Sequence, residues 1–132
     1  MYKRQIYYQP KVDLHSGRLI GAEALIRWHS TEGMVSPDRF IPIAEKTGLI
    51  DPITDWVMTT ACTQAREWQN ILPGIRVAVN LSAVSFRQVD FVNKVREVLE
   101  FTQVSPDCLE LEITETAIMV DFQEADRILT GR

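Results

Sequence analysis

Residues 7–28 read YYQPKVDLHSGRLIGAEALIRW, two extended runs joined by a tight turn, and they set how the chain begins to fold. The first run is strand-like from Ile6 to Leu14, HSGR at 15–18 supplies the turn, and Leu19 to Trp28 is rich in apolar residues. So short a connection makes the two strands an antiparallel hairpin. Period-two alternation puts Leu19, Gly21, Glu23, Leu25 and Arg27 on one face and Ile20, Ala22, Ala24 and Ile26 on the other. One acid therefore stands inside an apolar run, on the same face as an arginine four residues later.

Beyond the hairpin the period changes. SPDRFIPIAEKTG (36–48) opens a short helix with Ser36 as its cap and Pro37 at its first position, and stops near Gly48. A longer helix follows, with Asp51 as cap and Ile53, Trp56, Val57, Thr60, Ala61, Gln64, Ala65 and Trp68 at three-four spacing. Ile75 to Ser82 reads as a strand, and Phe86 to Phe101 as a helix with Phe91, Val92, Val95, Val98 and Leu99 inward. CLELEIT (108–114) reads as another strand and Asp121 to Leu129 as a final helix. Strand, helices, strand, helix, strand, helix is the rhythm of a parallel α/β sheet. About four strands make a small open sheet or half of an eight-stranded barrel. Residues 1–5, MYKRQ, carry no periodicity and are set aside as a leader or remnant; residues 6–132 form one domain.

A chain of 132 residues, 45% hydrophobic and 24% charged, has the composition of a globular domain that buries roughly two thirds of its unfolded surface. Its net charge of −4 argues against a sequence-independent grip on DNA or RNA, which needs a clustered basic face. An anionic substrate then needs a metal or a few local cations. Cys62 and Cys108 read as reduced structural thiols. No run approaches the ~18 apolar residues of a membrane span and no signal-peptide pattern opens the chain, so a cytoplasmic domain is expected, any membrane anchor being carried elsewhere in the parent protein.

Three oxygen donors fall on three successive strands: Glu23, Asn80 beside small Ala78 and Ser82, and Glu112 on the face of Glu110 and Thr114. Carboxylate, amide oxygen and carboxylate form a hard set suited to Mg²⁺, Mn²⁺ or Ca²⁺ rather than zinc. The C-terminal ends of neighbouring parallel strands are where α/β folds keep their chemistry. Alternation alone leaves open a plainer arrangement, with Glu23 paired to Arg27 and Glu112 on a solvated edge.

YYQPKVDLHSGRLIGAEALIRW, SPDRFIPIAEKTGLI, VAVNLSAVSF and LELEITET, in this order and at these intervals, resemble the EAL-domain phosphodiesterases that hydrolyse the bacterial second messenger cyclic di-GMP. The resemblance implies an incomplete (β/α)₈ TIM-type barrel with its first strand antiparallel, of which this chain supplies the N-terminal part. It implies that Glu23, Asn80 and Glu112 are metal ligands, Glu23 and Glu112 being catalytic, for two Mg²⁺ or Mn²⁺ ions in the complete domain. Gln9 and Arg27 resemble positions that contact the bound dinucleotide, and Glu115 a residue that braces an active-site loop. The remaining ligands of that family, an acidic pair in a DDFG word, a lysine and a late glutamate, are not among these residues. The expectation is a phosphodiesterase giving linear pGpG, inactive as this chain alone. The alternative is a non-catalytic receptor or protein-interaction domain of the same family. Fused sensory or diguanylate-cyclase modules and a homodimer are compatible with either.

His15 in the turn and His29 after the second strand lack partners at metal-ligand spacing and read as structural. Trp28, Trp56 and Trp68 read as packing residues, Glu45 as an exposed helix carboxylate with a place at the rim of the site as the alternative, and Asp121, Glu124 and Asp126 as the solvated face of the last helix.

Overall fold

The computed structural model describes residues 3–113; the helix expected at Asp121 to Leu129, with Thr114 and Glu115, lies outside the described residues. Strand β1 (Lys3–Val12) runs antiparallel to β2 (Leu19–Ser30), with Gln9 opposite Glu23. β1 begins at Lys3 rather than Ile6, so residues 3–5 pair into the sheet: Lys3, Arg4 and Gln5 stand opposite His29, Trp28 and Arg27. Their polarity hid them, yet the Arg4 guanidinium lies 5.1 Å from the centre of the Trp56 ring, a cation–π contact that seats the strand end. At its other end the strand stops at Val12, because the Asp13 carboxylate accepts from the backbone of His15 at 2.8 Å and closes the turn.

A short strand β3 (Gly33–Val35), too brief to show a period, pairs back on β2. Helix α1 (Pro37–Thr47) ends where Gly48 takes φ +81°, a left-handed stop that other residues adopt at a cost. In α2 (Ile50–Trp68) the start differs from expectation: Leu49 occupies the cap position with no side-chain bond, and Asp51 lies in the first turn, favourably placed in the helix dipole. β4 (Arg76–Leu81) follows.

The single helix expected at Phe86 to Phe101 is two helices. Ser82 caps α3 (Ala83–Phe86) by accepting from the Val84 amide at 3.1 Å, and the chain then turns into α4 (Phe91–Thr102). The Phe86 and Phe91 rings, centroids 5.5 Å apart and edge to face, hold the turn closed. A 3₁₀ turn at Pro106–Cys108 leads into β5 (Leu109–Ile113).

Strand order is β1-β2-β4-β5, with β3 joined to β2 and with β2, β4 and β5 parallel. The helices cover one face. Ala24, Val77 and Val79 pack there against Val57, Met58, Ala61, Cys62 and Ala65 of α2, and Tyr8 adds an edge contact to Trp68 at 4.9 Å. The other face carries the odd-numbered residues of β1 and β2 and the even-numbered residues of β4 and β5. A sheet with helices outside and polar side chains inside is a sector of a (β/α) barrel, its first strand antiparallel as expected. Among the described residues no helix is long and apolar enough to cross a membrane.

Both cysteines are free and buried. Burial, with a smaller contribution from nearby Cys108, pushes the Cys62 thiol from 9.0 up to about 11. Burial likewise raises Tyr8 from 10.0 to about 12, helped by Cys62 and Glu67. Above pH 9 the unfolded chain loses protons that the folded chain keeps, so stability is fully present below that pH and falls as pH rises through about 11. Urea melts between pH 8 and pH 11 are expected to show a loss of roughly 2–3 kcal/mol from Cys62 alone. A flat profile contradicts the buried thiol.

Candidate metal centre and substrate cleft

Alternation along β2 fixes Glu23 and Arg27 on the inner face, and the parallel register then sets their neighbours. Glu23 aligns with Ala78 and Ala78 with Glu110; in the next row Asn80 aligns with Glu112. Ala78 is small, which leaves the Glu23 carboxylate free to lean one row up the sheet. There Asn80 Nδ2 donates to Glu23 Oε2 at 2.9 Å. The structure therefore brings Glu23 and Asn80 into contact and sets Glu112 beside Asn80. The Glu112 carboxylate is turned toward β1, where Oε1 accepts from Lys11 Nζ at 2.9 Å.

The Glu23–Arg27 ion pair of the plainer arrangement does not form. Arg27 Nη1 donates to the carbonyl of Ile26 at 3.1 Å, and its guanidinium lies 5.8 Å from the centre of the Tyr7 ring. Gln9 stands opposite Glu23 on β1, on the same face. Glu115 is outside the described residues.

Electrostatics on this face centre on Lys11. Its ammonium is held above the usual lysine range first by the hydrogen bond to Glu112, against partial desolvation, and then by the charges of Glu112, Glu110 and Glu23. Glu110 is also met by Arg76 Nη1 at 3.1 Å. Lys11 was missed in the sequence, although its parity with Gln9 marks it as inward-facing. Among the described residues no group of three or more His, Cys, Asp or Glu is gathered closely enough to hold a metal. Glu23 and Glu112 with the Asn80 amide are nevertheless hard oxygen donors of the type that Mg²⁺ and Mn²⁺ prefer.

Pairing between β2 and β4 ends at Ala24 and Val79, and above that point the strands part. A cleft of about 390 Å³ opens there, with Arg27, Glu45, Asn80 and Ser82 on its walls and Ile53, Thr54 and Val57 among its apolar lining. Glu45 reaches the wall of this cleft rather than standing as a plain exposed helix carboxylate. It accepts a hydrogen bond from Ser82 Oγ, and this fixes the chain just beyond Asn80. A larger cavity of about 550 Å³ starts where the parallel strands begin, lined there by Arg18, Gly21, Leu72 and Arg76, and reaches Lys11, Ala78 and Glu110 on the inner face. α/β sheets do not place chemistry at that end. His15 is in the hairpin turn, and His29 Nε2 lies 3.4 Å from the Tyr7 hydroxyl; neither approaches the carboxylates.

The EAL domain family model matches residues 3–131. The bifunctional diguanylate cyclase/cyclic di-GMP phosphodiesterase MucR of Pseudomonas aeruginosa is 45% identical over 121 residues, 88% of this chain and 17% of that protein. The cyclic di-GMP phosphodiesterase NbdA of the same organism is 40% identical over 129 residues, 95% of this chain and 16% of that protein. In a solved complex of the P. aeruginosa MucR phosphodiesterase with c-di-GMP, 53% of that chain superposes on 97% of this one with a TM-score of 0.91 at 42% identity. The EAL enzyme Bd1971, bound to cAMP and cyclic di-GMP, gives a TM-score of 0.84 at 28% identity over 96% of this chain and 37% of that chain. The chain thus spans about half of the first solved neighbour and under a fifth of these curated relatives.

Proposed function

Because the chain belongs to the EAL domain family, we propose that it is the N-terminal part of a metal-dependent phosphodiesterase that hydrolyses cyclic di-GMP to linear pGpG. The observation that carries this reading is the Glu23–Asn80 contact at 2.9 Å with Glu112 in register beside it, three oxygen donors at one rim of a parallel sheet. These three would hold Mg²⁺ or Mn²⁺. Such an ion lowers the pKa of a bound water and stabilises charge on phosphate oxygens. Metal charge also explains how a chain of net charge −4 serves an anionic substrate.

The other residues bind and orient. Arg27 sits at the open end of the cleft with its planar fork of donors suited to a phosphate oxygen, and Gln9, across from Glu23, supplies a neutral amide to the same ligand. Glu115 is assigned to bracing an active-site loop. Fused sensory or diguanylate-cyclase modules belong to the same proposal, as does a homodimer, and the short share of MucR that this chain matches is consistent with the former.

The parent protein is expected to convert cyclic di-GMP to pGpG in Mg²⁺ or Mn²⁺, while the isolated 132-residue chain shows no measurable turnover. Nucleotide binding by the parent without turnover would replace this reading with the receptor alternative. Metal-dependent turnover by the isolated chain, lost in Glu23→Ala, would show that the residues present suffice.

A further inference from the structure

Lys11 lies on β1, the far edge of the sheet from β5, and its side chain crosses the inner face to reach Glu112. It is the ammonium that the charges of Glu112, Glu110 and Glu23 all act upon. Lys11 and Glu112 are 37% and 41% exposed, so the pair is hydrated, loosely held and free to open. A flexible four-carbon stem lets the ammonium swing away without moving the strand. We propose that Lys11 and the divalent cation compete for the Glu112 carboxylate, so that Lys11 sets the metal affinity of the site. The proposal rests on the cation reading of Glu23, Asn80 and Glu112 and deepens it.

The sign follows from geometry. An ion coordinated by Glu112 at about 2.1 Å would have the Lys11 ammonium within roughly 5 Å, given the present contact of 2.9 Å. At that separation, repulsion between a single and a double positive charge in water corresponds to about ten-fold in binding. Glu112 also has to release its hydrogen bond before it ligates fully. Both effects weaken metal binding, and neither is a packing effect.

The test is Mn²⁺ binding by the parent protein, followed by calorimetry and by the electron paramagnetic resonance signal of free Mn²⁺. Lys11→Met keeps the stem and removes the charge; Lys11→Gln is a second neutral variant and Lys11→Arg retains the charge. At low ionic strength the neutral variants are expected to bind Mn²⁺ about ten-fold more tightly than wild type, and Lys11→Arg within about two-fold of it. The advantage shrinks as salt is raised. Equal or weaker binding by both neutral variants overturns the proposal, since a lysine that merely positions Glu112 would weaken binding when removed. Glu112→Gln separates the two levels of the argument. If Mn²⁺ binding falls in Glu112→Gln yet is unmoved by Lys11→Met, the site stands and only the competition is wrong. If no variant binds Mn²⁺, or binding survives both Glu23→Gln and Glu112→Gln, the cation site itself is wrong and the competition falls with it.

Discussion

Glu23→Gln in the parent protein is expected to lower cyclic di-GMP turnover by about a thousand-fold or more while leaving the melting temperature within a few degrees of wild type. The substitution is nearly isosteric. The carboxamide oxygen of glutamine still accepts from Asn80 Nδ2, the 2.9 Å contact that ties β2 to β4 on this face, so the strand pairing has no reason to change. On the proposed function, what disappears is a negative charge and a hard oxygen donor to the cation. A thousand-fold loss is about 4 kcal/mol of transition-state stabilisation, the scale on which a metal ligand contributes. The loss should fall on kcat and on Mn²⁺ affinity together, and circular dichroism should be unchanged. Activity within ten-fold of wild type, with metal binding intact, would mean that Glu23 is a structural partner of Asn80 and nothing more.

How far this site could be read from the sequence depends on the kind of geometry involved. Period-two alternation is a property of the chain itself, so the shared face of Glu23 and Arg27 and the hairpin containing them were legible. The parity of Glu110 and Glu112 was legible for the same reason. Contacts across strands were not. That Asn80 bonds Glu23 rather than Glu112 depends on small Ala78 standing beside Glu23 in its own row, and the turn of Glu112 to Lys11 joins β5 to β1 across two intervening strands. Glu45 could not be placed at the rim from its own helix, since its bond to Ser82 joins a helix to a strand end and is set by tertiary packing. Local polarity misled in two places. Arg4 and Gln5 looked to lie outside the first strand because these polar neighbours, on opposite faces, extend no apolar rhythm, and Asp51 looked like a cap although the backbone turns helical one residue before it. The break between α3 and α4 was hidden because Phe86 and Phe91 both fit an inward helical face, when in fact they pack on each other across a turn.

Gly21→Val is expected to destabilise the chain by about 3 kcal/mol or more, enough to lower its melting temperature by roughly 10 °C. Gly21 is needed here for close approach, not for an unusual backbone angle. A Cβ at this position would stand 2.7 Å from the backbone carbonyl oxygen of Arg76, and backbone in a paired strand cannot move aside as a flexible side chain can. Gly21 and Arg76 open the parallel ladder that runs through Glu23 and Ala78 to Ala24 and Val79. Forcing β2 away from β4 at this first rung therefore weakens all four pairs at once, including the row that holds Glu23 below Asn80. A second consequence follows from that position: even at temperatures where Gly21→Val remains folded, Mn²⁺ affinity should fall, because the Glu23 and Asn80 oxygens no longer share one rim. Gly21→Ala meets the same oxygen with one methyl group and should show both effects at smaller size. Thermal melts and Mn²⁺ titrations of the two variants decide the matter, and an unshifted melt for Gly21→Val would show that β2 and β4 do not approach as closely as 2.7 Å requires.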